Sequence, residues 1–286
     1  MVAQILLVGA TGKQGSAVLK SLLASNHPAD AVTCLTRDTD SPAAQSITQR
    51  GARVVKGSLT DVDSLKQALE GKDVAFLVTV IPGKGDTVTE EEQGRNFISA
   101  ATAVGLPHLV FSSVASASPS CGVPHFESKA RIEESLKESG INWTILRPVA
   151  FFENWPKRSG VASMMTLGLF QAALRGKPLQ MVACDDIGHF GANALLHPEQ
   201  FANRTIELAG DELTMDQARD AYTRVEGRSA WKAWVPGVAL LALPYEFRIM
   251  LYWFHNQGYS VQIASVKSEH PALLSFEDWL RKNDDE

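Results

Sequence analysis

The stretch Gly9-Ala10-Thr11-Gly12-Lys13-Gln14-Gly15 limits this chain more than any other. It follows Ile5-Leu6-Leu7-Val8, a continuous apolar run of the kind that forms a strand buried on both faces of a parallel sheet. It precedes Ala17, Val18, Leu19, Leu22 and Leu23, which recur at helical spacing. The glycines therefore fall at a strand-to-helix turn. There Gly9 allows a sharp turn, Gly12 presents no Cβ to an approaching group, and Gly15 lets the helix lie close to the sheet. Unpaired amides in the first helical turn, with the positive end of the helix dipole, make this corner an anion site. A nucleoside-triphosphatase phosphate loop is excluded, because only two residues separate Gly9 from Gly12 and Gln14 follows Lys13.

The spacing predicts that the anion is the pyrophosphate of a dinucleotide, held by Gly9, Thr11, Gly12, Lys13, Gln14 and Gly15. A second strand through Ala31-Val32-Thr33-Cys34-Leu35-Thr36 ends at Arg37, which lies 22 residues beyond Gly15. A carboxylate at such a tip suits the 2′-hydroxyl of NAD, whereas a guanidinium suits the 2′-phosphate of NADP. NADP(H) is favoured, although Asp38 stands next in line and would reverse the preference if the register moved by one residue. Further strands read at 52–57, 73–79 and 109–113, each followed by a helical pattern. The helix after the third carries capping-box spacing from Ser64 to Gln67, and the Glu90-Glu91-Glu92 run suits the start of the helix after the fourth. Ser58, Thr79 and Ser112 leave the carboxyl ends of their strands and so belong to the ligand crevice, as does the polar loop 83–89.

A net charge of -5 with interspersed signs offers no basic footprint for direct nucleic-acid binding. The three cysteines, Cys34, Cys121 and Cys184, form no ligand pattern, so no metal is expected and reduced thiols are. The first strand begins at once, leaving no room for a targeting peptide, and Pro244, Glu246 and Arg248 break the most apolar late stretch. A cytoplasmic or nuclear location, away from membranes, is the resulting expectation.

Gly9-Ala10-Thr11-Gly12, Phe111-Ser112-Ser113, His125-Phe126-Glu127-Ser128-Lys129, Leu146-Arg147-Pro148 and Phe152-Glu153-Asn154 together resemble the NmrA-like family, an atypical branch of the short-chain dehydrogenase/reductase superfamily. Asp185-Asp186-Ile187-Gly188 and Ala209-Gly210-Asp211-Glu212-Leu213-Thr214 extend the likeness over most of the chain. The resemblance implies a Rossmann-type doubly wound α/β domain over 1–153, with the stretch 181–210 rejoining its sheet, and a smaller C-terminal substrate or partner domain over 154–286. It also implies that Lys129 meets the nicotinamide ribose and that Phe152 and Asn154 lie beside the nicotinamide. Working reductases of the superfamily place a tyrosine four residues before this lysine; here that position is His125, and the usual serine position falls near Val114, between Ser113 and Ser116. His125 either replaces the tyrosine as general acid, with Lys129 one turn away lowering its pKa, or is a plain helix-start residue. Two functions remain open: an NADPH-dependent reductase or isomerase of a small organic substrate, and a non-catalytic NADP(H) sensor that binds a regulatory protein, with an oligomer compatible with either. The aromatic-rich stretch 231–259 is expected mainly to pack the second domain.

Overall fold

A computed structural model describes residues 2–81 and 88–282. The chain divides into two compact units, one of Met1–Pro119, His125–Arg147 and Ile187–Ile206, the other of Ser120–Pro124, Pro148–Asp186 and Glu207–Glu286.

The first unit is built on a sheet whose strands are β1 (Ile5–Val8), β2 (Val32–Thr36), β3 (Arg53–Lys56), β4 (Val74–Leu77), β5 (His108–Ser112) and β6 (Asn142–Pro148). The spatial order is β3-β2-β1-β4-β5-β6, and every neighbouring pair runs parallel. The strands are linked by α1 (Lys13–Ala24), α2 (Pro42–Gln49), α3 (Val62–Leu69), α4 (Glu90–Val104) and α5 (Pro124–Glu138). Leu6, Val8, Ala75, Leu77, Leu109 and Phe111 point to one face, where they meet Leu65, Phe97 and Ile132 from α3, α4 and α5. The alternate residues point to the other face. There the closest neighbours of Gly191, on a later helix, are Val18 of α1, Phe76 of β4 and Leu146 of β6. With both faces covered, each inner strand must be apolar throughout, which is why Ile5-Leu6-Leu7-Val8 shows no alternation.

The second unit holds a small sheet of β7 (Ala150–Phe151), β8 (Leu179–Val182) and β10 (Asp211–Leu213), in the order β10-β8-β7. Met181 and Val182 are therefore strands of this sheet and not of the large one. The large sheet is completed instead by β9 (Arg204–Leu208), beside β6. The remaining helices are α6 (Val161–Leu174), α7 (Cys184–Leu196), α8 (Pro198–Phe201), α9 (Met215–Glu226), α10 (Tyr245–Asn256), α11 (Ile263–Glu269) and α12 (Phe276–Arg281). Thr214 and Ser275 cap α9 and α12 through the capping boxes visible in the sequence. The corresponding expectation for α3 is corrected: Asp61, three residues earlier, is the cap, accepting from the Asp63 and Ser64 amides, because a carboxylate there satisfies two donors at once.

The aromatic core of the second unit also differs from expectation. Phe152, Trp155, Tyr222, Phe276 and Trp279 form it, with Phe276 stacked on Trp279 at 5.6 Å. Of the stretch 231–259, Trp253, Phe254 and Tyr259 pack together, whereas Trp231, Trp234, Tyr245 and Tyr252 are exposed. Among the described residues no helix is long and apolar enough to cross a membrane.

Candidate functional site

Strand order reverses between β1 and β4, and in an open α/β sheet the crevice outside such a reversal is where ligands bind. Every strand-end residue singled out from the first half of the sequence lies along this edge. Arg37 follows β2, the glycine stretch follows β1, Ser58 follows β3, Thr79 follows β4, and Ser112 ends β5.

The three glycines separate into distinct roles. Gly9 has φ +81°, the left-handed conformation that turns the chain off β1, and its carbonyl accepts from the Gly12 amide at 2.9 Å. A Cβ on Gly15 would stand 2.3 Å from the Gly9 oxygen, so the packing of α1 on the turn requires glycine there. Gly12 is different. Its backbone is extended, and a Cβ would meet nothing closer than the Gly9 oxygen at 3.4 Å, an ordinary contact. The protein itself tolerates a side chain at Gly12; a phosphate lying against the backbone would not. Gly12 is also the N-cap of α1 and brings no side-chain acceptor, and the first turn contains no carboxylate. Thr11, Gly12 and Lys13 are exposed at this helix start.

A cavity of about 520 Å³ opens beside the turn, lined by Gly9, Thr11, Arg37, Asp38, Ser58 and Val80 among others. Arg37 is exposed, and among the described residues nothing bonds its guanidinium. Asp38, which competes for the same reading in sequence, is turned to local work: its carboxylate accepts from the Asp40 amide at 2.9 Å and its carbonyl from Ser41 Oγ at 3.0 Å. The residues thus fit a dinucleotide with an extra phosphate: bare amides for the pyrophosphate and a free guanidinium for a second anion. Cys34, just before the strand tip, is a buried thiol whose pKa burial pushes up to about 12, which leaves it unreactive.

Beyond the turn, Gln14 is not free. Its Oε1 accepts from Ser112 Oγ at 2.5 Å, tying α1 to the end of β5. Lys129, on α5, reaches into the same corner. Its ammonium lies 3.0 Å from Glu90 Oε1, 3.0 Å from Thr79 Oγ1 and 3.4 Å from the Ser112 carbonyl, over the Phe111 ring. Glu90 also accepts from Thr79 Oγ1 at 3.0 Å and from Ser128 Oγ at 2.5 Å. Burial works to raise the Glu90 pKa, but the Lys129 charge and the bonds from Ser128, Lys129 and Thr79 outweigh it and hold the carboxyl below its ordinary range.

Glu90 is the member of this corner that the sequence reading missed. The run Glu90-Glu91-Glu92 does begin α4, yet its members divide the work. Glu92 closes the capping box with Thr89 and Glu91 pairs with Arg95 and Arg131, while Glu90 is 4% exposed and turned inward. The signal was present in the spacing. Glu90, Gln93, Gly94 and Phe97 fall at i, i+3, i+4 and i+7, so an acid occupies the buried stripe of the helix.

His125 is the second residue of α5, half-buried, with its ring edge-on to Phe126 at 4.6 Å and its carbonyl accepting from Ser128 Oγ. Ser113, one of the two serines flanking the expected position, is spoken for: its hydroxyl donates to buried Glu133 at 2.5 Å, and Glu133 takes a bidentate contact from Arg147. Phe152 is wholly buried, against Phe276 and Trp279 in the second unit. Asn154 is exposed in the same unit, at the end of a single 3-10 turn. Residues 83–87 of the polar loop lie outside the described residues.

Comparison with known proteins places this geometry in context. The model of the NmrA-like family matches residues 1–279. An NmrA-like family domain-containing oxidoreductase of Aspergillus japonicus, himF, is 28% identical over 253 residues, covering 79% of this chain and 74% of its own. Among solved structures, Citrobacter sp. triphenylmethane reductase complexed with NADP(H) superposes with a TM-score of 0.77 at 18% identity, over 97% of this chain and 99% of that one. NmrA, a negative transcriptional regulator solved in complex with NADP, superposes with a TM-score of 0.73 at 18% identity, over 99% and 95%.

Proposed function

This chain belongs to the NmrA-like family, and from that premise we propose that it binds NADP(H) and reduces a small organic substrate. The observation that carries the reading is the unbonded Arg37 guanidinium beside a helix start that supplies only amides. Those two features select a dinucleotide with a phosphate on its adenosine ribose. The oxidoreductase relative and the NADP(H)-bound reductase of the same fold support it.

Gly9, Thr11, Gly12 and Lys13 would receive the pyrophosphate and Arg37, with Ser58 nearby, the 2′-phosphate. When bound, NADPH supplies a hydride. The chain supplies the rest: Lys129, Thr79 and Ser112 form the polar floor at the ends of β4 and β5, and the His125 imidazole is the titratable group available to deliver a proton to the substrate. Lys129 acts there as a fixed polar contact, because Glu90 balances its charge.

The second reading, a sensor that regulates a protein partner, is favoured by one observation. All three ammonium protons of Lys129 already have acceptors, an arrangement that leaves none over to activate a reacting group. Fluorescence titration with NADPH and NADH, followed by NADPH consumption with a panel of quinones, dyes and enones, tests both readings. The reductase reading expects tighter NADPH binding and turnover that His125→Phe or Lys129→Ala abolishes. Absence of NADPH binding overturns the cofactor assignment, and turnover indifferent to both substitutions overturns the catalytic one.

A further inference from the structure

Glu90 does more than cap a buried cation, because of where the pair sits. Arg37 on β2 and the glycine turn on β1 fix one half of a dinucleotide; strand order then carries the other half over β4 and β5. Thr79 and Ser112 stand at those two strand ends, and Lys129 and Glu90 are bonded to them. That half of the cofactor holds the one charge that distinguishes its redox states: the oxidised nicotinamide ring is a cation and the reduced ring is neutral. A lone ammonium in a site only 13% exposed would repel the cation, since charges in a poorly hydrated corner interact far more strongly than in water. A carboxylate 3.0 Å away, itself 5% exposed, cancels that field to a short-range dipole.

On the premise of the NADP(H) reading above, we propose that Glu90 sets the balance between oxidised and reduced cofactor by neutralising Lys129. Glu91 cannot take over this work, because it is bound to Arg95 of α4 and Arg131 of α5. Glu90 is thus a specificity residue acting through Lys129.

The test is a double-mutant cycle read by binding alone. NADP+, NADPH and 2′,5′-ADP, which lacks the nicotinamide half, are titrated into the parent protein, Glu90→Gln, Lys129→Met and the double variant. Glu90→Gln should weaken NADP+ relative to NADPH by about tenfold, Lys129→Met should shift the ratio the other way, and the double variant should return it near the parent value. Glu90→Asp should keep the parent ratio, and 2′,5′-ADP should bind all of them alike. A purely structural role for Glu90 would weaken both redox forms by one factor and leave their ratio unmoved, and that result overturns the proposal. Should Glu90→Gln fail to fold, Lys129→Met alone decides, because an unchanged ratio there is equally fatal. A parent protein that binds none of the three ligands refutes the cofactor reading instead, so the two failures are distinguishable.

Discussion

Alanine at Gly15 and alanine at Gly12 should fail in opposite ways, although the two glycines lie three residues apart on one turn. A Cβ on Gly15 would sit 2.3 Å from the Gly9 oxygen, 2.4 Å from the Gly9 carbonyl carbon and 2.7 Å from the Ala10 amide, all backbone that cannot rotate aside. Moving α1 off the turn to relieve that overlap costs about 1–3 kcal/mol or more, as overpacking in cores does. For a protein of this size each kcal/mol lowers Tm by roughly 2–4 °C, so Gly15→Ala should melt about 2–12 °C below the parent. At Gly12 the nearest atom is 3.4 Å away and the backbone is extended, open to any residue. Lost preference at the N-cap and reduced freedom of the unfolded chain, each worth about 0.5–1 kcal/mol, nearly cancel. Gly12→Ala should therefore melt within about 2 °C of the parent. Its methyl would nevertheless occupy the space a pyrophosphate needs. The loss of one or two charged hydrogen bonds, about 1.5–3 kcal/mol each, predicts at least about a tenfold fall in NADPH affinity. Differential scanning fluorimetry without ligand and fluorescence titration with NADPH read the two effects separately. A Gly12→Ala protein that binds NADPH like the parent, or a Gly15→Ala protein with an unchanged melting point, would refute the division of roles.

Arg37→Ala should weaken NADPH by about ten- to a hundredfold, the value of one charge-assisted phosphate contact, while NADH binding stays level; equal loss of both in a titration would contradict the phosphate role. Asp186, at the start of α7, is buried with its oxygens 3.2 Å from His270 Nε2 and 3.3 Å from the Leu274 amide. Burial, partly opposed by the Leu274 bond, pushes its pKa up from 3.8 to about 7. A raised folded-state value means that the neutral carboxyl is the stabilising form, fully present at acid pH and lost as pH rises through about 7. Asp186→Asn should therefore exceed the parent in urea stability at pH 8 by up to a few kcal/mol, with the difference gone by about pH 4. A constant difference across that range would refute the assignment.

The doubly wound half of the molecule was legible because two constraints act locally. A strand covered on both faces must be apolar throughout, as Ile5-Leu6-Leu7-Val8 is, and a helix that starts against a turn must have glycine where Gly15 stands. What the sequence hid depends on tertiary direction. Asp61 and Ser64 are both good caps, and only the extended backbone of Asp61 decides between them. Phe152 follows a strand that leads, by sequence, toward the crevice; two other aromatics far along the chain, Phe276 and Trp279, take it into the second unit's core. Trp234 and Trp253 are equally apolar, yet one is 86% exposed and the other 6%, and no pattern of spacing distinguishes them.

Glu90 changes the meaning of the one motif that seemed easiest to transfer. In sequence, His125 and Lys129 invite comparison with a pair in which the lysine's positive field acts on its neighbour one turn away. That argument counts charges along α5 only. The carboxylate arrives from α4, through a residue read as part of a helix start, and meets the ammonium at 3.0 Å before its field can act on anything else. The lysine is held in place but is electrostatically quiet, and its partners Thr79 and Ser112 belong to the crevice edge. Whatever His125 does to a substrate must then rest on the imidazole and its own surroundings. If Lys129 and Glu90 floor the ring-bearing half of the cofactor as proposed, their balanced pair would admit a cation that a bare ammonium would turn away.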